Sequence, residues 1–400
     1  MAALLALAVG AFCYVAMETM PIGLLPLISE DLGVSLADAG LLVTGYGLTV
    51  AIVSVPLAYL TRRVPRRLLF SVLLAVFVVA TLASAIAENY AVLLGARVVV
   101  ALSQAVFWGV VGPAAAGLFS VEVRGRATAT VFGGGAIAPM LGVPAGTWLG
   151  QQVGWRWTFV ALAAVGLVTL LLLAVLMPSV PVGQGHAATG TAPSVRRFWI
   201  LIAVTTLSIT GLFTAFTYTT PFLTDVAGFP VAAISPLLLL RGVVDFGGIA
   251  VAGVFVDRRP RAVMAGSVAV MAVSLTGMYA FAGVQIATAA ALALSGFALG
   301  ALTPALQNRV LEVAPGNSDL ASAGNSAAFN VGIAGGAFLG GAVLSDFGLA
   351  PTALVGGLVA TVALLLVLTE PLIAPAGSRH PAADGTQPAR KPDVLVREGS

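Results

Sequence analysis

The chain has 400 residues, of which 59% are hydrophobic and only 9% charged, and its mean hydropathy is +1.04. An ordinary soluble domain carries about 25% charged residues, so this composition excludes one and points to an integral membrane protein. The formal net charge of +3 is explained by where the cations sit along the chain, and no nucleic-acid partner is needed to account for it.

Apolar runs recur along the chain and match a hydrocarbon core of ~30 Å crossed at ~1.5 Å per residue. Together they predict an all-α membrane protein with twelve spans, at about 4-28, 38-61, 68-87, 91-119, 127-150, 158-178, 198-221, 232-256, 262-282, 286-309, 321-344 and 352-370. The first run lacks a basic start and is longer than the ~7-15-residue core of a signal peptide, so it is expected to be retained. It contains Cys13, the only cysteine, which has no partner for a disulfide. The polar stretches 179-197 and 371-400 are too poor in apolar residues to bury a core and read as a flexible linker and tail. Residues 1-178 and 198-370 are then the two membrane units.

Of the 19 lysines and arginines, 16 lie in alternate connections or in the tail, including Arg62, Arg63, Arg66, Arg67, Arg124, Arg126, Arg196, Arg197, Arg258, Arg259, Arg261 and Arg309. The opposite connections carry Glu30, Asp31, Asp38, Glu88, Asp225 and Asp346, with Arg156 as their cation. By the positive-inside rule both termini are expected in the cytoplasm, with the protein in the plasma (inner) membrane.

Shifting the chain by about 195 residues aligns Pro26 with Pro221, Gly33 with Gly228, Gly47 with Gly242, Arg63 with Arg258, Pro65 with Pro260 and Arg66 with Arg261, without a gap. Six spans per copy give both halves the same orientation, which predicts two six-helix bundles related by a pseudo-two-fold axis along the membrane normal. Such a pair encloses a cavity, and rocking the bundles exposes it to either side in turn.

At these residues the chain resembles the major facilitator superfamily. The family's loop signature runs Gly-x-x-x-Asp-Arg-x-Gly-Arg-Arg, and "GVFVDRRPRA" fits it at Gly253, Asp257, Arg258 and Arg261, with Pro260 where the second glycine is usual. The first half, "AYLTRRVPRR", keeps Arg63, Arg66 and Arg67 but has Ala58 for the glycine and Arg62 for the aspartate. The resemblance implies that these residues clamp the cytoplasmic helix ends in the outward-facing state; the arginines alone also serve as topology determinants. "ETMPIGLLPLISEDLGVSLADAGLLVTGYGLTV" and "RGRATATVFGGGAIAPMLGVPAGTWLGQQVGWRWTF" are similar to the twelve-span drug:proton antiporters, in the branch of arabinose-efflux-permease-like and chloramphenicol-exporter-like proteins.

Within span five, Gly133, Gly142, Pro144, Gly146 and Gly150 resemble the signature of exporters. Read without the family, Gly142, Gly146 and Gly150 stand four residues apart on one helix face and let another helix approach, while Pro144 frees a carbonyl and allows a bend. Frequent glycine in membrane helices is the plainer account of the same residues.

Glu18, Arg97, Arg241 and Asp245 lie inside apolar spans, where insertion of each costs about 2.5-3.5 kcal/mol, so they are expected to face a cavity or each other. They are the candidates for proton coupling or substrate binding. Arg241 and Asp245 stand one turn apart, either as a local i,i+4 ion pair or with the carboxylate free for a proton or a substrate. The resemblance implies recognition or coupling for Glu18 and proton transfer for Arg97; a cross-helix salt bridge between these two is the structural alternative. Tyr14, Tyr46, Gln104, Phe107, Trp108, Phe216, Tyr218 and Asn330 are the candidates for a cavity wall, where aromatics with a few polar groups suit a moderately apolar ligand.

His186 and His380 lie in the linker and tail, which leaves the membrane without a His-based acid-base or metal site, and the chain has no phosphate-binding Gly-x-x-x-x-Gly-Lys loop. The sequence therefore predicts no enzyme, no cofactor and no metal. It predicts a monomeric carrier whose partners are a small organic molecule, protons and the lipid bilayer. Proton-driven export is the first reading, with a proton-coupled uptake symporter and a non-transporting sensor or scaffold as alternatives.

Overall fold

The computed structural model describes residues 1-61, 63-119, 124-178, 192-256, 258-316 and 318-373. Most of the expected linker and tail, both histidines and Asp257 of the second loop signature lie outside them.

Among the described residues, twelve helices long and apolar enough to cross a membrane follow one another. They are α1 (Ala2–Leu32), α2 (Leu36–Thr61), α3 (Arg66–Ala85), α4 (Tyr90–Gly117), α5 (Arg124–Ile137, Ala138–Gly142 and Val143–Val153), α6 (Trp155–Leu176), α7 (Val195–Phe216), α8 (Val231–Phe255), α9 (Pro260–Ala280), α10 (Gln285–Val313), α11 (Ser318–Phe347) and α12 (Ala350–Ile373). In lipid every backbone polar group must be satisfied within the segment, so apolar runs of this length fold as helices. α7 starts inside the expected linker because the Ser194 side chain accepts from the Arg197 amide and caps it. It ends sooner than the apolar run suggests. The chain passes through a short turn, Thr219–Pro221, and a π-helical turn, Phe222–Val226, where Pro221 has no amide to give.

The packing repeats with the sequence. α1 packs on α5 and α6, α2 on α4, and α3 on α4 and α6; six helices later, α7 packs on α11 and α12, α8 on α10, and α9 on α10 and α12. The two bundles meet along α2 with α11 and α5 with α8, which the same two-fold exchanges. Each bundle has its own apolar core, and Ile22, Val43 and Val143 of the first bundle are built into the core of the second.

Candidate functional site

Inside the first bundle, Arg97 on α4 is fully buried and donates to three backbone carbonyls: Nη1 to Met17 at 3.0 Å, Nη2 to Glu18 at 3.3 Å and Nε to Leu42 at 3.3 Å. Its guanidinium carbon lies 5.0 Å from the Tyr46 ring centroid. It thereby pins α1 and α2 to α4 and forms no ion pair with the Glu18 carboxylate, because the carbonyls take its donors. Glu18 is held from the other side. Gln104 donates from Nε2 to Glu18 Oε2 at 2.8 Å and accepts from the Tyr46 hydroxyl at 2.7 Å. The second oxygen, Oε1, is buried without a hydrogen-bond partner.

Inside the second bundle, Arg241 and Asp245 on α8 are 2% and 7% exposed, and no ion pair within 4.0 Å joins them among the described residues. Arg241 lies with its guanidinium carbon 3.7 Å from the ring centroid of Phe216 on α7. Its backbone and Cγ press on Gly296 of α10, and Asp245 presses on Gly300 of the same helix, where a methyl group would stand 2.6 Å from Asp245 Oδ1. That oxygen has no partner either.

Both sites border the seam between the bundles. Tyr46 and Arg241, which the repeat superposes, each precede a seam glycine. A methyl group on Gly47 would stand 3.1 Å from the Asn330 carbonyl of α11, and one on Gly242 would stand 2.4 Å from Met140 Cα of α5. The other contacts that close the seam lie toward the face away from the chain ends. Thr220 donates to the Ile22 carbonyl at 3.0 Å, Ser235 to that of Pro144 at 2.8 Å, Gln151 to that of Val231 at 3.1 Å and Thr44 to that of Ala334 at 3.3 Å. Tyr218, one of the residues expected on a cavity wall, forms the plug of this closure. Its hydroxyl donates to the Ala337 carbonyl at 3.0 Å, and its ring fills the space above Gly40, Gly340 and Gly341. Sequence reasoning missed Thr220 and the plug because cross-bundle geometry leaves no mark on one helix's pattern.

Tyr14 and Phe107 are placed away from the seam. Both are fully buried in the first bundle's core, with ring centroids 4.7 Å apart and the Tyr14 hydroxyl donating to Leu73. Trp108 is half-buried against Phe107 and Phe132, and Asn330 spends its amide on Ser326 one turn back. The span-five glycines divide in two. Gly142, Gly146 and Gly150 fit against Ala16, Met20 and Leu24 of α1, whereas Gly133 faces open space and its neighbour Gly134 meets the Ala8 carbonyl. Pro144 deprives the Met140 carbonyl of its usual amide, and the π-helical turn Ala138–Gly142 takes up the slack beside α8.

At the face carrying the chain ends, the loop arginines bind within their own bundles. Arg67 Nε donates to the Ala174 carbonyl at the end of α6 at 2.8 Å, and Arg261 Nε lies 3.3 Å from Glu370 of α12. Arg63 and Arg258 are exposed, Arg66 is half-buried, and Gly253 has no atom within 4 Å of an added methyl. Glu370, 2% exposed, also accepts from Arg309 at 2.6 Å, and Arg309 pairs with Glu312 at 2.7 Å. This cluster escaped the sequence reading, although a carboxylate closing the last apolar run was its signal.

The Major Facilitator Superfamily model matches residues 7–258 and 239–397, two overlapping halves that cover nearly the whole chain. The chain belongs to that superfamily. Among its relatives are the "Probable sugar efflux transporter" of Mannheimia succiniciproducens, 32% identical over 90% of this chain and 91% of that one, and the inner membrane transport protein YdhP of Escherichia coli strain K12, 33% identical over 91% and 94%. The fold is shared with a solved bacterial homologue of the human lysosomal transporter Spinster, captured inward-facing and unoccupied, with a TM-score of 0.72, 18% identity and coverage of 93% and 96%. This superfamily member is therefore a twelve-span transporter, with Glu18 and Arg97 buried in its first bundle and Arg241 and Asp245 in its second.

Proposed function

We propose that this superfamily member is a proton-coupled exporter of a small organic molecule, acting as a monomer in the plasma membrane, the inner one of a two-membrane cell. The observation that carries the reading is the pair of carboxylates Glu18 and Asp245, one per bundle, each buried with one oxygen unpartnered among the described residues. Desolvation favours the neutral form of any carboxyl group, so opening and closing a cavity around one loads and unloads a proton. Arg97, Gln104 and Tyr46 hold Glu18 in place, and Phe216 holds Arg241.

The distribution of lysine and arginine supports cytoplasmic termini. The seam contacts then lie toward the outside, which makes this the inward-facing arrangement. Arg63, Arg66, Arg67, Gly253, Arg258 and Arg261 serve as the cytoplasmic gate of the opposite state, and in the present one Arg67 and Arg261 are held within their own bundles. The efflux named for the Mannheimia relative supports export, and the inner membrane named for the Escherichia relative supports the location.

The test is accumulation of labelled sugars, nucleosides, organic acids and antibiotics in cells lacking their own pumps, with and without a protonophore. Export predicts lower accumulation of at least one compound, restored by the protonophore and by Glu18→Gln or Asp245→Asn at unchanged membrane levels. Raised accumulation would instead establish uptake, and wild-type transport by both variants would remove the proton assignment.

A further inference from the structure

The two arginines inside the membrane differ in what their guanidinium groups are given to bind. Arg97 commits three nitrogens to backbone carbonyls. Arg241 is nearly as buried, about ten residues and ~15 Å along α8, but its Nε and Nη2 have no partner among the described residues. Unsatisfied donors on a buried charged group are costly, and pairing with Asp245 one turn away would have been the simple remedy. The side chain instead places its guanidinium carbon 3.7 Å from the Phe216 ring centroid and leaves the Nε–Nη2 edge buried and unpaired among the described residues.

That edge has a specific chemistry. Nε and Nη2 form one side of the guanidinium fork, where two parallel N–H groups match the two oxygens of a carboxylate. The neighbouring Gly242 packs on Met140 in the π-helical turn of α5, so Arg241 stands one residue along α8 from the seam where the bundles move against each other. π-Helical turns of this kind are frequent at functional sites. Asp245 Oδ1 is a buried acceptor without a donor on the same helix.

We propose that the unpartnered edge of Arg241 is the receptor for a planar oxyanion, so that the cargo is a small organic acid with a carboxylate head. Asp245 Oδ1 accepts from a hydroxyl or amine that the same molecule carries beside its carboxylate. A neutral sugar leaves the Arg241 donors unmet and is a poor cargo. This deepens the carrier reading and rests on it for the word cargo, but the binding site is testable by itself.

The experiment uses the purified full-length protein and three matched pairs: acetate with acetamide, benzoate with benzamide, and glucuronate with glucuronamide. Thermal stability and equilibrium binding are measured at millimolar concentration, followed by movement of the bound member across proteoliposomes. At least one acid is expected to raise the melting temperature while its amide does not. Arg241→Lys keeps the charge but loses the fork, and should weaken that binding about tenfold or more. Arg241→Gln with Asp245→Asn should abolish it while leaving no lone buried charge on α8. Equal binding of acid and amide, no shift with any of the three acids, or unchanged affinity in Arg241→Lys would each overturn the oxyanion site. An acid that binds as expected but never crosses the membrane would leave the site standing and sink its reading as exported cargo; movement of an amide as fast as its acid would leave export standing and overturn the oxyanion requirement.

Discussion

At the scale of single residues, buried charges take whatever partners the packing allows, and those partners decide what each charge can do. Glu370 has both a 2.6 Å contact to Arg309 and a 3.3 Å contact to Arg261, with 2% exposure, so it acts as a structural tie between α9, α10 and α12. Removing Glu370 takes away the buried partner of Arg309 and leaves it the partly exposed Glu312, a loss toward the low end of the about 3-5 kcal/mol for breaking a buried pair. Glu370→Gln is therefore expected to lower the melting temperature in detergent by several degrees, and adding Arg309→Met should recover most of that loss. A single variant as stable as the parent would show that the tie contributes nothing. Glu18 differs because only one of its oxygens is committed, to Gln104. The sequence made all four mid-membrane charges legible, since an ionisable residue inside an apolar run stands out. It left open what each would touch, because Arg97 and Arg241 look alike in one dimension. They separate only when α1 and α2 bring carbonyls to the first while α7 brings a phenyl ring to the second.

At the scale of elements, the helix positions were legible to within a few residues because the hydrocarbon thickness fixes length and lipid forbids open backbone. Which glycine does what was less legible. Gly133 and Gly134 are neighbours on α5, yet a methyl group on the first meets nothing within 4 Å, while one on the second would stand 2.1 Å from the Ala8 carbonyl of α1. Backbone cannot move aside as a side chain does, and overpacking of this kind costs about 1-3 kcal/mol. Gly134→Ala should thus lower the melting temperature and reduce export, and Gly133→Ala should change neither. Equal behaviour of the two variants would mean that α1 and α5 do not approach this closely. The four-residue spacing of Gly142, Gly146 and Gly150 predicted a helix partner on that face, and only the folded bundle identifies it as α1.

At the scale of the whole molecule, the 195-residue repeat places equivalent glycines, Gly47 and Gly242, at equivalent points of the two seams, which makes seam closure a property of the pair of halves. A side chain on Gly242 has no room while α5 and α8 stay together, since even its first carbon would stand 2.4 Å from Met140 Cα. Gly242→Leu should therefore leave each bundle's core intact and push the equilibrium toward the state in which this seam is parted. Ala39 reports on that state: it is fully buried in the closure, in the cluster with Leu25 and Tyr218. With Cys13 replaced by alanine, Ala39→Cys should react slowly with a maleimide in the solubilised protein and faster once Gly242→Leu is added. A bias of about 1.4 kcal/mol corresponds to about a tenfold rise in rate, if labelling follows the open population. Gly247→Leu on the same helix is the matched control, because that position has open space around it and the same bulk should leave the rate unchanged. If Gly242→Leu labels no faster than the control, the seam at α5 and α8 does not hold the closure, and the Tyr218 plug would have to hold it without help from that contact.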